Sequence, residues 1–203
     1  MKVSKGEIFE RLFVNEEVHL QIDQEAYSHV KIYVINAPFS ITVNQLEEGC
    51  QTEIYALEHL RGEQSVTAET HVTHAVGGGT SNQLIKFVLD DNARGRFVGD
   101  LKIAPDAQQT EAHQTNRNLL LSETAEMRTQ PQLEIYADDV KATHGASTGQ
   151  LDESALFYMQ QRGIDKQKAR QLLVGAFMKE IIETISDERI REELLDSIDG
   201  VVE

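Results

Sequence analysis

Apolar and polar residues alternate over most of this sequence, and this pattern limits the fold more than any other feature. From Val18 to about Val140, apolar side chains recur at every second position in short runs. A period of two places successive side chains on opposite faces of a β-strand. The runs predict strands at residues 18–22, 30–34, 39–43, 65–72, 84–90, 96–103 and 133–137, with Leu133–Val140 containing the last strand. We therefore expect a mainly β domain.

The arrangement of these strands is left open by the pattern. Polar residues, Gly and Asn separate the runs, which recur at a spacing of about ten residues. This spacing is compatible with a β-sandwich, a barrel or a β-solenoid, and the sequence has no strict repeat.

At Asp152 the periodicity changes to that of helices, which divides the chain into a β domain at 1–150 and a helical domain at 151–203. Asp152 is a candidate N-cap for a first helix that ends before Gly163. A second helix is predicted after Asp165, and Ser186 is a candidate cap for a third. The three helices predict a small bundle.

Apolar stripes on the second and third helices must be covered. They comprise Ala169, Leu172, Leu173, Ala176, Phe177, Ile181, Ile182 and Ile185, followed by Ile190, Leu194, Leu195 and Ile198. The β domain and another protein chain are equally good candidates for the covering surface.

Charge and composition exclude several classes of protein. The net charge of −15, from 34 acidic and 19 basic side chains, repels phosphate backbones and argues against nucleic-acid binding. We expect no membrane span, because no run of about 20 apolar residues occurs, and no secretory leader. The lone Cys50 is expected to be a small buried residue in a reducing, cytoplasmic compartment.

Motifs for intrinsic catalysis are weak. The glycine run in AVGGGTSNQ (75–83) lacks the lysine and hydroxyl of a phosphate-binding loop and predicts a turn. His71 and His74 are three apart on a strand, so they face opposite sides. Asp138 and Asp139 are expected in a turn. A histidine metal cluster assembled by the fold, as in a metal-dependent all-β enzyme, stays open as an alternative.

His144 is the candidate with a chemical claim. It follows a predicted strand in a segment of small residues, and Gly145–Gly149 is interpreted as a turn that leads to the helices. Imidazole is a good ligand for iron.

The segment LEIYADDVKATHGASTGQLDESALFYMQQRGI (133–164) resembles the SufB/SufD family of the SUF system for iron–sulfur cluster assembly. Its part His144–Tyr158 is similar to the SufD side of that family, and NLLLSETAEMRTQPQLEI (118–135) is similar to the family as well. The resemblance covers the last two fifths of the chain.

This resemblance implies a right-handed parallel β-helix followed by a small helical domain. It also implies a non-enzymatic scaffold that pairs with a SufB-like subunit through the β-helix edge and docks a SufC-like ABC ATPase through its C-terminal helices. The docking side chains would be Leu172, Leu173, Phe177, Ile181, Ile190 and Leu194. A transient iron–sulfur cluster would form at the SufB–SufD interface with His144 as a ligand, and no stably bound cofactor is expected on this chain alone.

The sequence departs from the family at one informative position. Many members have a cysteine two residues before the histidine, where this chain has Ala142. Members are usually longer, so the resemblance also implies a fragment or a short form. The rival interpretation is a plain adaptor that docks an ATPase without a role in clusters, and an isolated chain is a candidate for homodimerisation through the exposed β-helix edge.

Overall fold

The computed structural model describes residues 1–186, 188–189 and 191–192. Within these residues, twelve strands precede two helices. The strands are β1 (Lys2–Val3), β2 (Ile8–Val14), β3 (Val18–Gln24), β4 (His29–Ile35), β5 (Phe39–Gln45), β6 (Gln51–Leu60), β7 (Ser65–His74), β8 (Thr80–Leu89), β9 (Arg94–Ile103), β10 (Thr110–Leu120), β11 (Glu126–Ile135) and β12 (Val140–Gln150). The helices are α1 (Glu153–Gln161) and α2 (Lys166–Ile182).

Successive strands alternate between two parallel sheets. Sheet A has the order β1-β3-β5-β7-β9-β11, and sheet B has the order β12-β10-β8-β6-β4-β2. Each strand pairs in parallel with the strand two places along the chain, so the backbone coils and adds one strand to each sheet per coil. This is a parallel β-helix with C-terminal helices, as the family resemblance predicts.

The alternation in the sequence explains which side chains enter the space between the two sheets, here called the lumen. Alternate residues of β5 are buried, and β10 buries its even-numbered positions from Thr110 to Asn118. The lumen is largely apolar, with Ile32, Ile41 and Ile54 fully buried. Burial of these residues from the two sheets supplies the main stabilising term.

Tight corners connect the strands. The turn predicted in residues 75–83 is confirmed for residues 75–79, between β7 and β8, whereas residues 80–83 belong to β8. A Cβ added to Gly77 would lie 2.3 Å from the carbonyl oxygen of Gln108, in the corner of the next coil. Only glycine allows the two backbones to approach this closely.

The helices begin where the sequence predicts. The Asp152 side chain accepts hydrogen bonds from the amides of Ser154 and Ala155, and Asp165 caps α2 in the same way. Gly163, with φ 83°, follows α1. In the described part of the chain, neither helix is long and apolar enough to cross a bilayer.

The β domain itself covers much of the apolar side of α2. Helix residues pack on the outer face of sheet B, where Tyr33 and Tyr55 stack with ring centroids 5.3 Å apart. The buried contributors from the C-terminal segment are Val174, Met178, Ile181, Ile182 and Ile185. Of the predicted stripe, Ile181, Ile182 and Ile185 are thus covered by the β domain. Val174 and Met178 are buried there although the predicted stripe did not include them, and the predicted Leu172 is exposed.

A buried lysine also holds α2 against the sheet. Lys86 of β8 is 1% exposed, and its Nζ donates to the carbonyl oxygen of Phe177 at 2.7 Å and to the Glu180 carboxylate. Arg117 of β10 donates to Glu180 at 3.0 Å. Sequence reasoning missed this network. Its signal was the run LIKFVLD, which is apolar on both faces and therefore indicates a strand covered on both sides.

The prediction that Gly145–Gly149 forms a turn is wrong. These residues belong to β12, and each is paired in register with β10. Two features hid the strand: the glycines, which are uncommon in strands, and the small side chains, which give no apolar alternation. The predicted third helix lies largely outside the described residues, including its apolar positions Ile190, Leu194, Leu195 and Ile198.

Candidate functional site at the end of the β-helix

His144 lies in the middle of β12 and not after a strand. β12 is the edge strand of sheet B in the described structure, with β10 as its neighbour, and β11 is the corresponding edge of sheet A. In the register of the ladder, His144 pairs with Gln114, which is a lumen residue. His144 therefore has the orientation of a lumen residue, but it belongs to the last coil and is exposed.

Small side chains surround His144 on the same face of β12. Ala142 and Ala146 are the inward positions two residues to either side. Pro131 of β11 pairs in register with Gly99 of β9 and so belongs to the same last coil. The imidazole is the one metal-ligating side chain among the inward positions of β12, and it is exposed.

Polar side chains lie in the lumen beneath His144. Gln83, Gln114 and His144 follow one another in register on β8, β10 and β12. The Nε2 of Gln114 donates to the Oε1 of Gln83 at 3.3 Å. The Oε1 of Gln114 and the Nε2 of Gln83 are buried without a hydrogen-bond partner in the described structure.

The sequence contained a signal for this ladder of glutamines. Gln83 and Gln114 are in phase with the apolar lumen positions of their strands, such as Ile85 and Ala112. A polar residue in phase with a buried apolar series indicates a buried polar group.

The other histidines do not assemble a metal site with His144. In the residues that the structure describes, no group of three or more His, Cys, Asp or Glu side chains is arranged to hold a metal ion. His71 faces outward, with Nδ1 2.8 Å from Asp100, whereas His74 faces the lumen, with Nε2 2.8 Å from Ser81 Oγ. This agrees with the prediction that the two point to opposite sides. Burial lowers the pKa of both His59 and His74 to about 4.

Cys50 is a buried thiol, as expected from the sequence. Its Sγ donates toward the carbonyl oxygens of Glu25 and Glu47, each at 3.2 Å. Burial raises the pKa of this thiol, which disfavours the thiolate form that binds metals.

The carboxylates Asp138 and Asp139 lie in the bend between β11 and β12, and both are exposed. The backbone amide of Asp139 donates to the side chain of Gln108 at 2.8 Å, and its carbonyl accepts from the amide of Gln109. They are turn residues, as predicted.

The side chains predicted to dock an ATPase have different environments. Leu172 is 45% exposed, Leu173 and Phe177 are partly buried, and Ile181 is fully buried against sheet B. Ile190 and Leu194 lie outside the described residues. Sequence reasoning missed two exposed aromatic residues on α1, Phe157 at 62% and Tyr158 at 58%.

A family model described as "SUF system FeS cluster assembly, SufBD core domain" matches residues 15–177. The match runs from the turn before β3 into α2 and so includes His144 and the glutamine ladder.

Individual relatives agree with this match. The chain is 35% identical over 184 residues to the iron–sulfur cluster assembly protein SufD of Escherichia coli, which covers 90% of this chain and 44% of that protein. It is 41% identical over 148 residues to a SufBD family protein of Synechocystis, covering 72% of this chain and 32% of the relative. It is also 33% identical over 187 residues to the chloroplastic protein ABCI7 of Arabidopsis thaliana, covering 89% and 39% respectively.

The chain thus spans less than half the length of these curated relatives. The family match over most of the chain, the parallel β-helix and the sequence of the segment around His144 all indicate the same family. This chain belongs to the SufBD core-domain family of the SUF iron–sulfur cluster assembly system, and it is SufD-like.

Proposed function

We propose that this chain is a scaffold subunit on which an iron–sulfur cluster is assembled together with a SufB-like and a SufC-like partner. The observation that carries the proposal is the position of His144, an exposed imidazole that faces the end of the β-helix from its last strand. The family match supports the same role, since relatives of this chain are named as assembly proteins.

The role proposed for His144 is to supply one nitrogen ligand to the nascent cluster. The neighbouring inward positions, Ala142 and Ala146, carry no ligand atoms. An iron–sulfur cluster needs several ligands, and cysteine thiolates are the most common. The remaining ligands must therefore come from the partner, and the cluster is a cargo held between two chains.

The edge strands β11 and β12 suit the proposed pairing with a SufB-like subunit. Unpaired backbone amides and carbonyls along such an edge form a template for another strand. Residues of β12 from His144 to Gln150 are exposed along this edge. A second copy of this chain is the competing occupant when the partner is absent.

The C-terminal helices suit the proposed docking of a SufC-like ATPase. The apolar side chains available for docking in the described structure are Phe157, Tyr158 and Leu172. In this arrangement ATP is hydrolysed by the partner, and the present chain is not an enzyme. We place the complex in the cytoplasm, where the partners and reduced iron and sulfur are accessible.

Anaerobic co-expression with SufB- and SufC-like partners tests the proposal. The purified complex is expected to show the visible absorption of an iron–sulfur cluster, and His144→Ala is expected to reduce this absorption while the three subunits still co-purify. His113→Ala is the matched control, because His113 is a partly exposed histidine on the outer face of the neighbouring strand β10.

The plain adaptor role is distinguished by the same experiment. It shares the docking surface but has no requirement for His144. Undiminished cluster absorption in the His144→Ala complex would contradict the scaffold role of His144 and favour the adaptor.

A further inference from the structure

We propose that Gln114 is a positioning residue for His144. Its Oε1 accepts a hydrogen bond from one ring N–H of His144, which leaves the other ring nitrogen unprotonated and able to bind iron. This inference rests on the proposed function for its biological meaning, but the hydrogen bond itself is measurable without any cluster.

The first step of the argument is the unused acceptor on Gln114. This residue is 1% exposed, and its Oε1 is buried with no hydrogen-bond partner in the described structure. A buried acceptor without a partner is costly, so a donor within reach is strongly favoured.

The second step is the direction in which that acceptor points. The Nε2 of Gln114 donates to Gln83 in the preceding coil at 3.3 Å. The Oε1 is the other branch of the same amide and is left free for the following coil, where the register partner of Gln114 is His144.

Gly99 on the opposite sheet leaves room for the Gln114 amide. A Cβ at Gly99 would lie 2.6 Å from both Nε2 and Oε1 of Gln114. The amide edge thus lies flat against the glycine, with its nitrogen on one side and its oxygen on the other. This amide shares the space beside Gly99 with the Phe97 ring, whose Cζ would also lie 2.6 Å from the added Cβ.

The third step is that β10 and β12 already exchange side-chain hydrogen bonds in the same register. Asn118 donates to Thr148 Oγ1 at 3.2 Å, and His113 Nδ1 lies 2.8 Å from Thr143 Oγ1. Both are register pairs, and the Gln114–His144 pair lies between them. Paired strands are about 4.8 Å apart, which is a distance that an imidazole spans by rotating about its side-chain torsions.

The consequence concerns which nitrogen of His144 is protonated. A neutral imidazole has one donor and one acceptor nitrogen, and the partner of the donor selects the tautomer. Ligating histidines commonly donate their second ring N–H to an oxygen that orients the ring. Gln114 lies in the lumen and is therefore placed to supply that oxygen to the buried side of the ring.

The test is the tautomer of His144 in the isolated full chain, measured by long-range ¹H–¹⁵N NMR of the imidazole nitrogens. The His144 signals are assigned by their loss in His144→Ala. We expect the tautomer ratio to change about fivefold or more between wild type and Gln114→Met, which corresponds to the usual net strength of one hydrogen bond.

Two further variants separate positioning from general damage to the lumen. Gln114→Glu keeps an acceptor oxygen at the same place and is expected to restore the wild-type tautomer. Gln45→Met removes another buried lumen glutamine, on β5, and is expected to leave the His144 ratio unchanged. The same tautomer ratio in wild type and Gln114→Met would overturn the proposal.

The cluster assay then distinguishes this inference from the proposed function. If both are correct, Gln114→Met lowers cluster yield in the complex but has no added effect in the His144→Ala background. If His144→Ala leaves the yield unchanged, the scaffold role of His144 is wrong, while the tautomer ratio still decides the role of Gln114.

Discussion

Lys86 on β8 and Glu180 on α2 form an ion pair across the boundary between the β-helix and the helical segment. The Lys86 side chain is almost completely buried, whereas the Glu180 side chain is 47% exposed. Burial lowers the pKa of Lys86, and the hydrogen bond from Lys86 lowers the pKa of Glu180. The pair fixes the position of α2 on sheet B, and α2 in turn orients the surface proposed to dock the ATPase.

Replacing Lys86 by Met is expected to destabilise the fold by about 1–2 kcal/mol, because the Phe177 carbonyl loses a buried donor. Methionine keeps most of the packing, and Glu180 keeps its contact with Arg117. Urea unfolding measures the change. Lys179→Met is the control, since the exposed Lys179–Glu183 pair is expected to contribute no more than about 0.5 kcal/mol. Equal unfolding midpoints for wild type and Lys86→Met would contradict the role given to this lysine.

Much of the fold follows from the sequence by simple rules. The alternation from Val18 to Val43 gives β3, β4 and β5, because each strand there has a strongly apolar inward face. The N-cap residues Asp152 and Asp165 correctly predict where the two helices begin. Periodicity is a property of single strands, however, and it does not tell which strands pair. The solenoid was therefore available only from the family resemblance.

Periodicity also missed β2, which is largely exposed, and β6, which is buried on both faces and therefore does not alternate. Other strands were missed because polar or small residues occupy their inward positions. β12 was hidden by its glycines, and β10 by the polar lumen residues Gln114, Asn116 and Asn118. His144 was singled out from the sequence as a candidate ligand, which stays a prediction, but its register partner Gln114 was missed because the pairing exists only between coils. Contacts between residues 30 positions apart depend on the register of the whole β-helix.

His74 is expected to make the fold less stable in mild acid. Burial lowers its pKa from 6.5 to about 4, so below pH 6.5 the unfolded chain binds a proton that the folded chain does not. The neutral, buried His74 makes its full contribution to folding stability above pH 6.5, and this contribution decreases as the pH falls toward 4. Between pH 7 and pH 5, the folded chain is expected to lose roughly 2 kcal/mol of stability from this cause.

His74→Gln tests this dependence, because glutamine already occupies the register partner at Gln45 and has no proton to bind. Urea unfolding at pH 7 and pH 5 should show a smaller loss of stability in the variant than in wild type. His19→Gln, at an exposed position, should behave as wild type. Parallel losses in wild type and His74→Gln would exclude His74 as the source.

Glu58 is expected to have the opposite effect on the pH dependence of stability, so that the fold becomes less stable as the pH rises. It faces the lumen from β6, its two carboxyl oxygens have no hydrogen-bond partner in the described structure, and burial raises its pKa well above 4.5. Above pH 4.5 the unfolded chain releases a proton that the folded chain retains, so stability decreases as the pH rises.

Glu58→Gln removes this proton linkage. The variant is expected to be more stable than wild type at pH 7, by at least about 1 kcal/mol, and to lose the advantage as the pH approaches 4.5. Unfolding midpoints across this range measure the effect. Glu16→Gln, at an exposed site, should show no such trend. A variant less stable than wild type at pH 7 would show that the Glu58 carboxylate is charged and satisfied in the folded chain.

The exposed apolar residues of the two helices are expected to determine affinity for the ATPase subunit. Phe157 is 62% and Leu172 45% exposed, so Phe157→Ser and Leu172→Ser should leave the unfolding midpoint nearly unchanged. Burying a side chain of this size in an interface is worth about 1.5–3 kcal/mol, so each variant should weaken binding by about tenfold or more.

Calorimetric titration of the chain with a purified SufC-like subunit measures this affinity. Ile8→Ser is the matched control, because Ile8 is 70% exposed but lies on β2, at the opposite end of the β-helix. Ile181→Ser is not a test of docking. Ile181 is fully buried against sheet B, so its replacement would disrupt the packing of α2 on the sheet. An unchanged Kd in both helix variants, with folding intact, would place the docking surface on another part of the chain.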